Sequence, residues 1–202
     1  MSRLKTKDKV AETAAHLFYL KGFHGTSVRD IATKAKVNVS MISYYFQNKQ
    51  GLLEYLIVSY YEKYLEEIEH VQKSLDSTHN PLENTYKLIE AIIHYKQKHH
   101  QFTCFIQREL SMDNILVREL LVTYLAKEKY LIEDVFDRVI YEKSYTTIEK
   151  ECLFMQFKGL LNVPYTMPYE WQSMVKWDLS KDAYMKNYTN TIKLWLKTLA
   201  AS

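Results

Sequence analysis

Apolar side chains recur every three or four residues through nearly the whole chain, and no stretch shows the strict polar–apolar alternation of a strand. Only four glycines and three prolines interrupt this pattern. The sequence therefore predicts an all-α protein. Predicted helices cover residues 6–20, 28–35, 39–46, 48–74, 82–98, 102–110, 115–143, 147–161 and 181–199. Residues 162–180 contain two prolines and two tryptophans, and they predict an irregular connection with at most one short helical turn.

The first fifty residues predict a small three-helix unit. An apolar stripe of the first helix carries Val10, Ala14, Leu17 and Phe18, and it faces the apolar sides of two shorter helices. Ser27 is placed to cap the second helix, with Asp30 three residues later as its partner in a capping box. Two short helices joined by a tight turn, with the second helix turned outward, are typical of a helix-turn-helix that enters the DNA major groove.

The residues of this unit resemble the TetR family of bacterial DNA-binding regulators. The resemblance rests on Gly22-Phe23, on residues 26–32, on Val37-Asn38-Val39, on Tyr44-Tyr45-Phe46, and on Lys49 with Leu52-Leu53. It implies a DNA-binding domain over residues 1–50 and a helical dimerisation and regulatory domain over residues 51–202. The family usually has glycine where this chain has Lys36, so we expect a positive φ angle with some strain at that residue.

DNA contacts are expected from two groups of side chains. Side chains on the second helix of the helix-turn-helix are predicted to face base edges. Side chains near the starts of the helices are predicted to contact phosphates. The predicted base-facing residues are Val39, Ser40, Met41 and Tyr44, and the predicted phosphate-facing residues are Thr26, Ser27, Tyr45 and Lys49. None of the base-facing residues is an arginine or an asparagine. Readout is therefore expected to depend on thymine methyl contacts, hydroxyl hydrogen bonds and DNA shape. Either tyrosine could instead pack on the small core.

The charge distribution supports a nucleic-acid role for the first fifty residues only. They hold nine lysines and arginines against three acidic residues, whereas the remaining 152 residues hold 18 basic against 21 acidic side chains. The net charge of +3 hides this asymmetry. Basic termini also occur in proteins that bind no nucleic acid, so the charge corroborates the helix-turn-helix and does not establish DNA binding alone.

The last two predicted helices suit the interface of a homodimer. Residues 147–161 have apolar side chains on two faces, which indicates burial on both sides, and the final helix carries a further apolar stripe. The resemblance implies that two such helices from each subunit form a four-helix interface. The predicted interface residues are Ile148, Cys152, Met155, Tyr188, Ile192 and Trp195. Packing within a single subunit is the alternative. A dimer would place two reading helices on a roughly palindromic site.

The remainder of the chain resembles a DNA-binding regulator of the division protein FtsZ from spore-forming bacilli. This resemblance rests on segments 116–120, 123–130 and 160–165. It implies regulation of cell division with FtsZ as a partner, and Arg118, Glu119 and the cluster at residues 127–129 are candidates for the partner surface. A solvated helix face with local ion pairs explains these charges equally well. A ligand-released transcriptional repressor is the alternative function, and the sequence leaves open whether a small-molecule effector exists.

Several other classes of function receive no support from the sequence. Neither cysteine has zinc-finger spacing, the adjacent His99 and His100 cannot share a helix face, and no nucleophile or phosphate-loop motif is present. We therefore expect no metal, no cofactor and no enzymatic activity. Both cysteines, Cys104 and Cys152, are expected to be buried free thiols. No apolar run is long enough to cross a membrane, and the expected location is the cytoplasm, in association with the nucleoid.

Overall fold

The computed structural model describes residues 3–75, 80–112, 114–141, 143–174 and 180–201. These residues form helices and connecting turns without a strand, which confirms the predicted all-α class. The helices are α1 (Arg3–Lys21), α2 (Val28–Ala35), α3 (Ser40–Phe46), α4 (Lys49–Ser74), α5 (Pro81–Lys98), α6 (His100–Ser111), α7 (Ile115–Ile140), α8 (Thr147–Thr166), α9 (Pro168–Met174) and α10 (Lys181–Ala201).

The chain divides into two compact units. The first contains residues 1–63 and 99–122, and the second contains residues 64–98 and 123–202. Helix α6 therefore belongs to the same unit as α1, α2 and α3. These units describe compactness alone, and the functional boundary after residue 50 stays a prediction.

The core of the first unit forms as the hydrophobic pattern predicts. The four stripe residues of α1 are at most 4% exposed, and Phe23 fills the space beside them. Residues Ile31, Ala32, Ala35, Ile42 and Phe46 from α2 and α3 complete this core. The sequence did not predict the part that α6 plays. Its Phe105 stacks on Phe18, and the guanidinium of Arg108 donates to the carbonyls of Phe18 and Tyr19 at 2.7 and 2.9 Å. These bonds satisfy carbonyls at the end of α1.

Helix α8 is longer than predicted. It passes through Pro164 and ends at Thr166, although the sequence predicted an irregular segment from residue 162. A proline inside a helix cannot donate to the carbonyl four residues earlier, here that of Leu160. The hydroxyl of Tyr188 in α10 donates to this carbonyl at 2.7 Å and replaces the missing bond. The predicted connection also contains α9, while residues 175–179 lie outside the described part of the chain.

The second unit encloses a buried ionic network around Glu128. The hydroxyl of Tyr64 donates to one carboxylate oxygen at 2.7 Å, and the ammonium groups of Lys96 and Lys158 lie 3.5 and 3.6 Å from the carboxylate oxygens. Lys96 also donates to Asn162 at 2.8 Å. These contacts join α4, α5, α7 and α8. Burial pushes the pKa of Glu128 upward, but the two ammonium groups and the tyrosine hydroxyl outweigh it and hold that pKa below its ordinary value.

The buried network changes the interpretation of residues 127–129, which the sequence predicted as part of a partner surface. Of the three residues at 127–129, Glu128 is 5% exposed and points into the core. Its neighbours Lys127 and Lys129 are exposed and form ion pairs with Glu69 and Glu133 of the same chain. The cluster is therefore divided between the interior and a solvated helix face. The structure gives no support for a single three-residue contact surface.

The two cysteines differ in their surroundings. Cys104 is buried, as predicted, and burial raises the pKa of its thiol to about 11. Cys152 is exposed on α8, so the prediction that both thiols are buried was wrong for this residue. The two-sided apolar pattern of α8 did not reveal which of its faces lies against its own subunit.

Candidate nucleic-acid interface

Helix α2 begins with the predicted capping box. The backbone N–H of Asp30 donates to the Ser27 hydroxyl at 3.1 Å, and the backbone N–H of Ser27 donates to the Asp30 carboxylate at 3.0 Å. The Ser27 hydroxyl also donates to this carboxylate at 2.8 Å. The backbone and side-chain hydrogen bonds from Ser27 hold the pKa of Asp30 below its ordinary value. Ser27 is exposed, but its hydroxyl is already engaged in fixing the start of the helix.

The turn between α2 and α3 has the backbone conformation that the sequence predicts. Lys36 has φ 54° and ψ 49°, which lies in the left-handed region. Its N–H donates to Thr33, and the N–H of Val37 donates to the carbonyl of Ala32 at 3.0 Å. This is the hydrogen-bond pattern in which glycine usually follows the last helical residue. The lysine side chain is exposed.

Helix α3 presents an exposed, uncharged surface. The exposed fractions of Val39 and Tyr44 are 40% and 63%, Ser40 is also exposed, and Met41 is half-buried. The predicted start at residue 39 is one residue early, since α3 begins at Ser40. Its N-cap is Val39, which makes no side-chain cap bond, so the prediction of Asn38 as the cap was wrong by one residue. The side-chain oxygen of Asn38 still accepts a hydrogen bond from the N–H of Ser40 at 2.9 Å. The opposite side of α3 is anchored in the core, so the exposed face is held rigidly outward.

A second strained residue follows α3. Gln47 has φ 66° and ψ −54°, and the N–H of Asn48 donates to the carbonyl of Phe46 at 2.7 Å. A three-residue turn with positive φ at its centre is rare and strained. Helix α4 then begins with the side-chain oxygen of Asn48 accepting the N–H of Gly51 at 2.9 Å. Glycine is required there, since a Cβ atom would lie 2.2 Å from the carbonyl oxygen of Phe46.

Lys49 at the start of α4 is tied to the core of the head, which comprises α1, α2 and α3. Its ammonium donates to the carbonyls of Phe23 and Thr26, each at 2.9 Å, and lies 4.3 Å from the centroid of the Phe23 ring. These contacts leave one N–H of the ammonium for a phosphate. The predicted phosphate contact by Lys49 stays a prediction. The structural role of this lysine was missed, because its partners are carbonyls that no sequence pattern indicates.

Thr26 requires a correction. Its side chain is 1% exposed, and its hydroxyl donates to the carbonyl of Gly22 at 2.9 Å and lies 3.3 Å from that of Leu17. The hydroxyl therefore closes the turn between α1 and α2 and is not accessible to a phosphate. Tyr45, the remaining residue predicted to face phosphates, is half-buried and packs edge-on against both Tyr44 and Phe46. The predicted contact between Tyr45 and a phosphate stays a prediction.

The predicted dimer-interface residues fall into two groups. On α8, Ile148 and Met155 are 73% and 74% exposed, and Cys152 between them is exposed as well. On α10, Ile192 is 1% exposed and belongs to the core of its own subunit, so its prediction as an interface residue is corrected. Trp195 is half-buried and stacks on a phenylalanine of α8.

Tyr188 is also half-buried and already donates to the backbone of α8, as described above. Burial raises the pKa of its hydroxyl to about 12. The exposed face of α8 continues past the three predicted residues to Gly159 and Val163. On α10, Leu194 is 63% exposed. This apolar face is exposed in the part of the chain that the structure describes, and such a face is typical of a surface that another subunit covers.

Two further surfaces bear on the predicted partners. Arg118 and Glu119 are both exposed on α7, which is compatible with a partner surface and equally with a solvated helix face. A groove of about 620 Å³ lies between α5 and α10 in the second unit. Its floor includes Ile93 and Met185, and polar side chains such as His94 line its walls. The groove mixes apolar and polar groups, as many small-molecule sites do.

The described part of the chain holds neither a candidate metal site nor a candidate membrane span. Within the described ranges, no three histidine, cysteine or acidic side chains come together in a way that could hold a metal ion. Over the same ranges, no helix combines the length and the hydropathy needed to cross a membrane.

Comparison with known proteins places the helix-turn-helix in a described family. Residues 10–56 match the family described as "Bacterial regulatory proteins, tetR family". The chain is 37% identical over 197 residues to the "Probable HTH-type transcriptional regulator YttP" of Bacillus subtilis. That match covers 98% of this chain and 95% of the relative.

Solved structures agree on the fold. A TetR family transcriptional regulator, PfmR from Thermus thermophilus, superimposes with a TM-score of 0.72 and 15% identity, covering 93% of this chain and 97% of that protein. A TetR-family transcriptional regulator from Bordetella parapertussis gives a TM-score of 0.72 and 17% identity, covering 92% of this chain and 93% of the other. At these identities the likeness concerns the fold alone.

Proposed function

The chain belongs to the TetR family of bacterial regulatory proteins, and we propose that it works as a homodimer that holds α3 of each subunit in the major groove of a roughly palindromic DNA site. Members of this family are transcriptional regulators and not enzymes. The proposed base-facing residues are Val39, Ser40, Met41 and Tyr44. The proposed phosphate contacts are Ser27 through the start of α2, Tyr45, and the remaining N–H of Lys49.

One observation carries this proposal most directly. Tyr44 is 63% exposed on a helix whose other side is fixed in a core by Ile42 and Phe46. An exposed aromatic side chain loses little conformational entropy on binding, and it offers both an apolar face and a hydroxyl group. The helix carries no charge of its own, so attraction to phosphates has to come from the basic residues around it.

The DNA site can be found by selecting bound duplexes from a random-sequence library with the purified protein. We expect an enriched site with two-fold symmetry, whose half-sites are about one helical turn, or a multiple of it, apart. The stoichiometry measured on the enriched duplex should be two subunits or a multiple of two. Enrichment of an asymmetric site bound by one subunit would contradict the dimeric arrangement.

A role in cell division is the finer proposal. The body of the chain resembles RefZ, the DNA-binding regulator of FtsZ in spore-forming bacilli, on the three segments given above. Arg118 and Glu119 are exposed and could contact FtsZ. The test is to mix the purified protein with FtsZ and follow polymerisation by light scattering, with and without the enriched duplex. An altered polymerisation curve that the paired variant Arg118→Ala, Glu119→Ala abolishes would support this role, and an unchanged curve would overturn it.

A ligand-responsive repressor is the alternative, and the groove between α5 and α10 favours it. Met185 and Ile93 provide apolar floor, and His94, Lys98 and Lys186 provide polar contacts for an effector. An effector would release DNA by binding better to the free form than to the DNA-bound form. Screening small metabolites for release of the enriched duplex tests this alternative. The variant Met185→Trp, which fills the floor, should abolish release while the protein still binds DNA.

A further inference from the structure

We infer that Lys36 and Gln47, which flank α3 on either side, are DNA-backbone contacts whose side chains hold the ends of the reading helix against the two phosphate strands. The inference rests on the proposed function, because it requires α3 to lie in the major groove. It adds two residues that neither the helix-turn-helix pattern nor the exposed face of α3 indicates.

The chain accepts backbone strain on both sides of α3. Three described residues have positive φ angles, namely Gly22, Lys36 and Gln47. At the end of α1 the chain uses glycine, which adopts this conformation without a Cβ penalty. At the two ends of α3 it uses long polar side chains, although neither lysine nor glutamine favours positive φ. Strained backbone of this kind is concentrated at functional sites.

Within the described residues, the protein itself makes no use of these two side chains. Lys36 and Gln47 are both exposed. Within the part of the chain that the structure describes, neither side chain takes part in a hydrogen bond or an ion pair, and only their backbone N–H groups are engaged. Intramolecular side-chain contacts therefore do not explain why glycine is absent from these two positions. A partner outside the chain does.

Helix α3 is short, so both of its ends would lie close to the borders of the groove. The seven residues of α3 span about 10 Å, and a helix with its side chains is about as wide as the roughly 12 Å major groove that it would fill. Side chains just beyond the two ends of α3 therefore come near the strands that border the groove. The lysine supplies a cation for the phosphates of one DNA strand, and the glutamine amide supplies a neutral N–H donor for the phosphates of the other. The carboxylate of Asp30 in α2 is held in the capping box by Ser27.

The test uses Lys36→Gly and Gln47→Gly in the full-length protein, because each substitution removes the side chain and relieves the backbone. We expect each variant to raise the melting temperature by about 2–4 °C. Affinity for a mixed-sequence duplex should nevertheless fall for both. With Lys36→Gly, the plot of log affinity against log salt concentration should become shallower by about 0.9 per bound subunit. With Gln47→Gly, affinity should fall about fivefold without a change of slope.

Two controls separate charge from backbone effects. Lys36→Arg keeps the positive charge and the strain, and it should preserve both the parent slope and the parent melting temperature. Lys63→Gln removes an exposed lysine of α4 away from α3, and it should leave the slope unchanged. Rescue by arginine together with a silent Lys63 variant assigns the effect to a cation beside α3.

The outcomes distinguish this inference from the proposed function. If the parent protein binds DNA and the two glycine variants bind with its affinity and its salt slope, the inference is overturned and the proposed function stands. A parent protein that binds no duplex overturns both. Weaker binding that coincides with a lower melting temperature in both glycine variants would also overturn the inference, because the side chains would then be stabilising the head.

Discussion

At the scale of single residues, the structure separates two predicted phosphate contacts that the sequence treats alike. Thr26 and Lys49 both stand at helix starts of the head, where phosphates are commonly bound. Thr26 is buried and closes a turn, whereas Lys49 reaches across the head to two carbonyls and keeps one N–H. Helical periodicity predicted which residues form the core. It could not predict these polar contacts, because they join residues from separate turns of the chain.

The position of Lys49 leads to a prediction with two readouts. Replacing Lys49 by methionine keeps the aliphatic stem but removes the ammonium from the two carbonyls. We expect the free energy of unfolding to fall by about 1–3 kcal/mol, as for other broken hydrogen bonds to a charged group. Affinity for all duplexes should fall alike, with a shallower salt slope. Thermal melts and binding titrations measure the two effects, and lower stability with an unchanged slope would assign Lys49 a purely structural role.

At the scale of the elements, local signals gave the helix types and most of their ends. The cap at Ser27 was predicted correctly, because a capping side chain lies within a few residues of the N–H group from which it accepts a hydrogen bond. The extension of α8 through Pro164 was not predictable, since Tyr188 satisfies the Leu160 carbonyl from 28 residues away in the sequence. Long-range replacement of a lost backbone bond leaves no local pattern.

The network that joins four helices through Glu128 predicts a dependence of stability on pH. The pKa of the Glu128 carboxyl lies below its ordinary value of 4.5. The stability that the ionised carboxylate contributes is therefore present above pH 4.5 and is lost as the pH falls through the native pKa. Glu128→Gln should lower the free energy of unfolding at pH 7 by about 3–5 kcal/mol, because the buried ammonium of Lys96 and the partly exposed ammonium of Lys158 lose their counter-charge. The variant should also lose less stability than the parent between pH 7 and acid pH.

Circular-dichroism melts at several pH values measure this effect, and Glu133 provides a matched control. It lies on the same helix, and its ion pair with Lys129 is partly exposed to solvent. Glu133→Gln should therefore change stability by at most about 1 kcal/mol. Equal losses in the Glu128 and Glu133 variants at neutral pH, or the same pH profile in the Glu128 variant and the parent, would contradict the role of the buried network.

At the scale of the whole molecule, the sequence indicated family and fold more fully than assembly. The head motif was dense enough to place the chain, and the relative from Bacillus subtilis extends the similarity over nearly its whole length. The sequence predicted the residues of the subunit interface only in part. An apolar residue inside a subunit and one between subunits look the same in a sequence. In the structure Ile192 is 1% exposed and belongs to the core, whereas Met155 is 74% exposed and is therefore available for the proposed interface.

The exposure of Met155 predicts that a charge introduced on this face of α8 weakens the dimer. Met155→Lys places an ammonium in the proposed interface, where it would be desolvated without a counter-charge. We expect sedimentation equilibrium to show a shift from dimer to monomer, with an unchanged helical circular-dichroism spectrum. Tyr130→Lys, at a site that is 72% exposed on α7, is the matched control and should remain dimeric. A dimeric Met155→Lys protein would exclude this face of α8 from the interface.

The reading of DNA by α3 is tested most directly by the affinity of Tyr44→Ala for the enriched duplex relative to a mixed-sequence duplex. Losing a base contact should lower this ratio by about 5- to 150-fold, which corresponds to 1–3 kcal/mol, while binding to the mixed duplex changes little. Tyr130→Ala should leave the ratio as it is in the parent. A Tyr44→Ala protein with the parent ratio would contradict the placement of α3 against the bases.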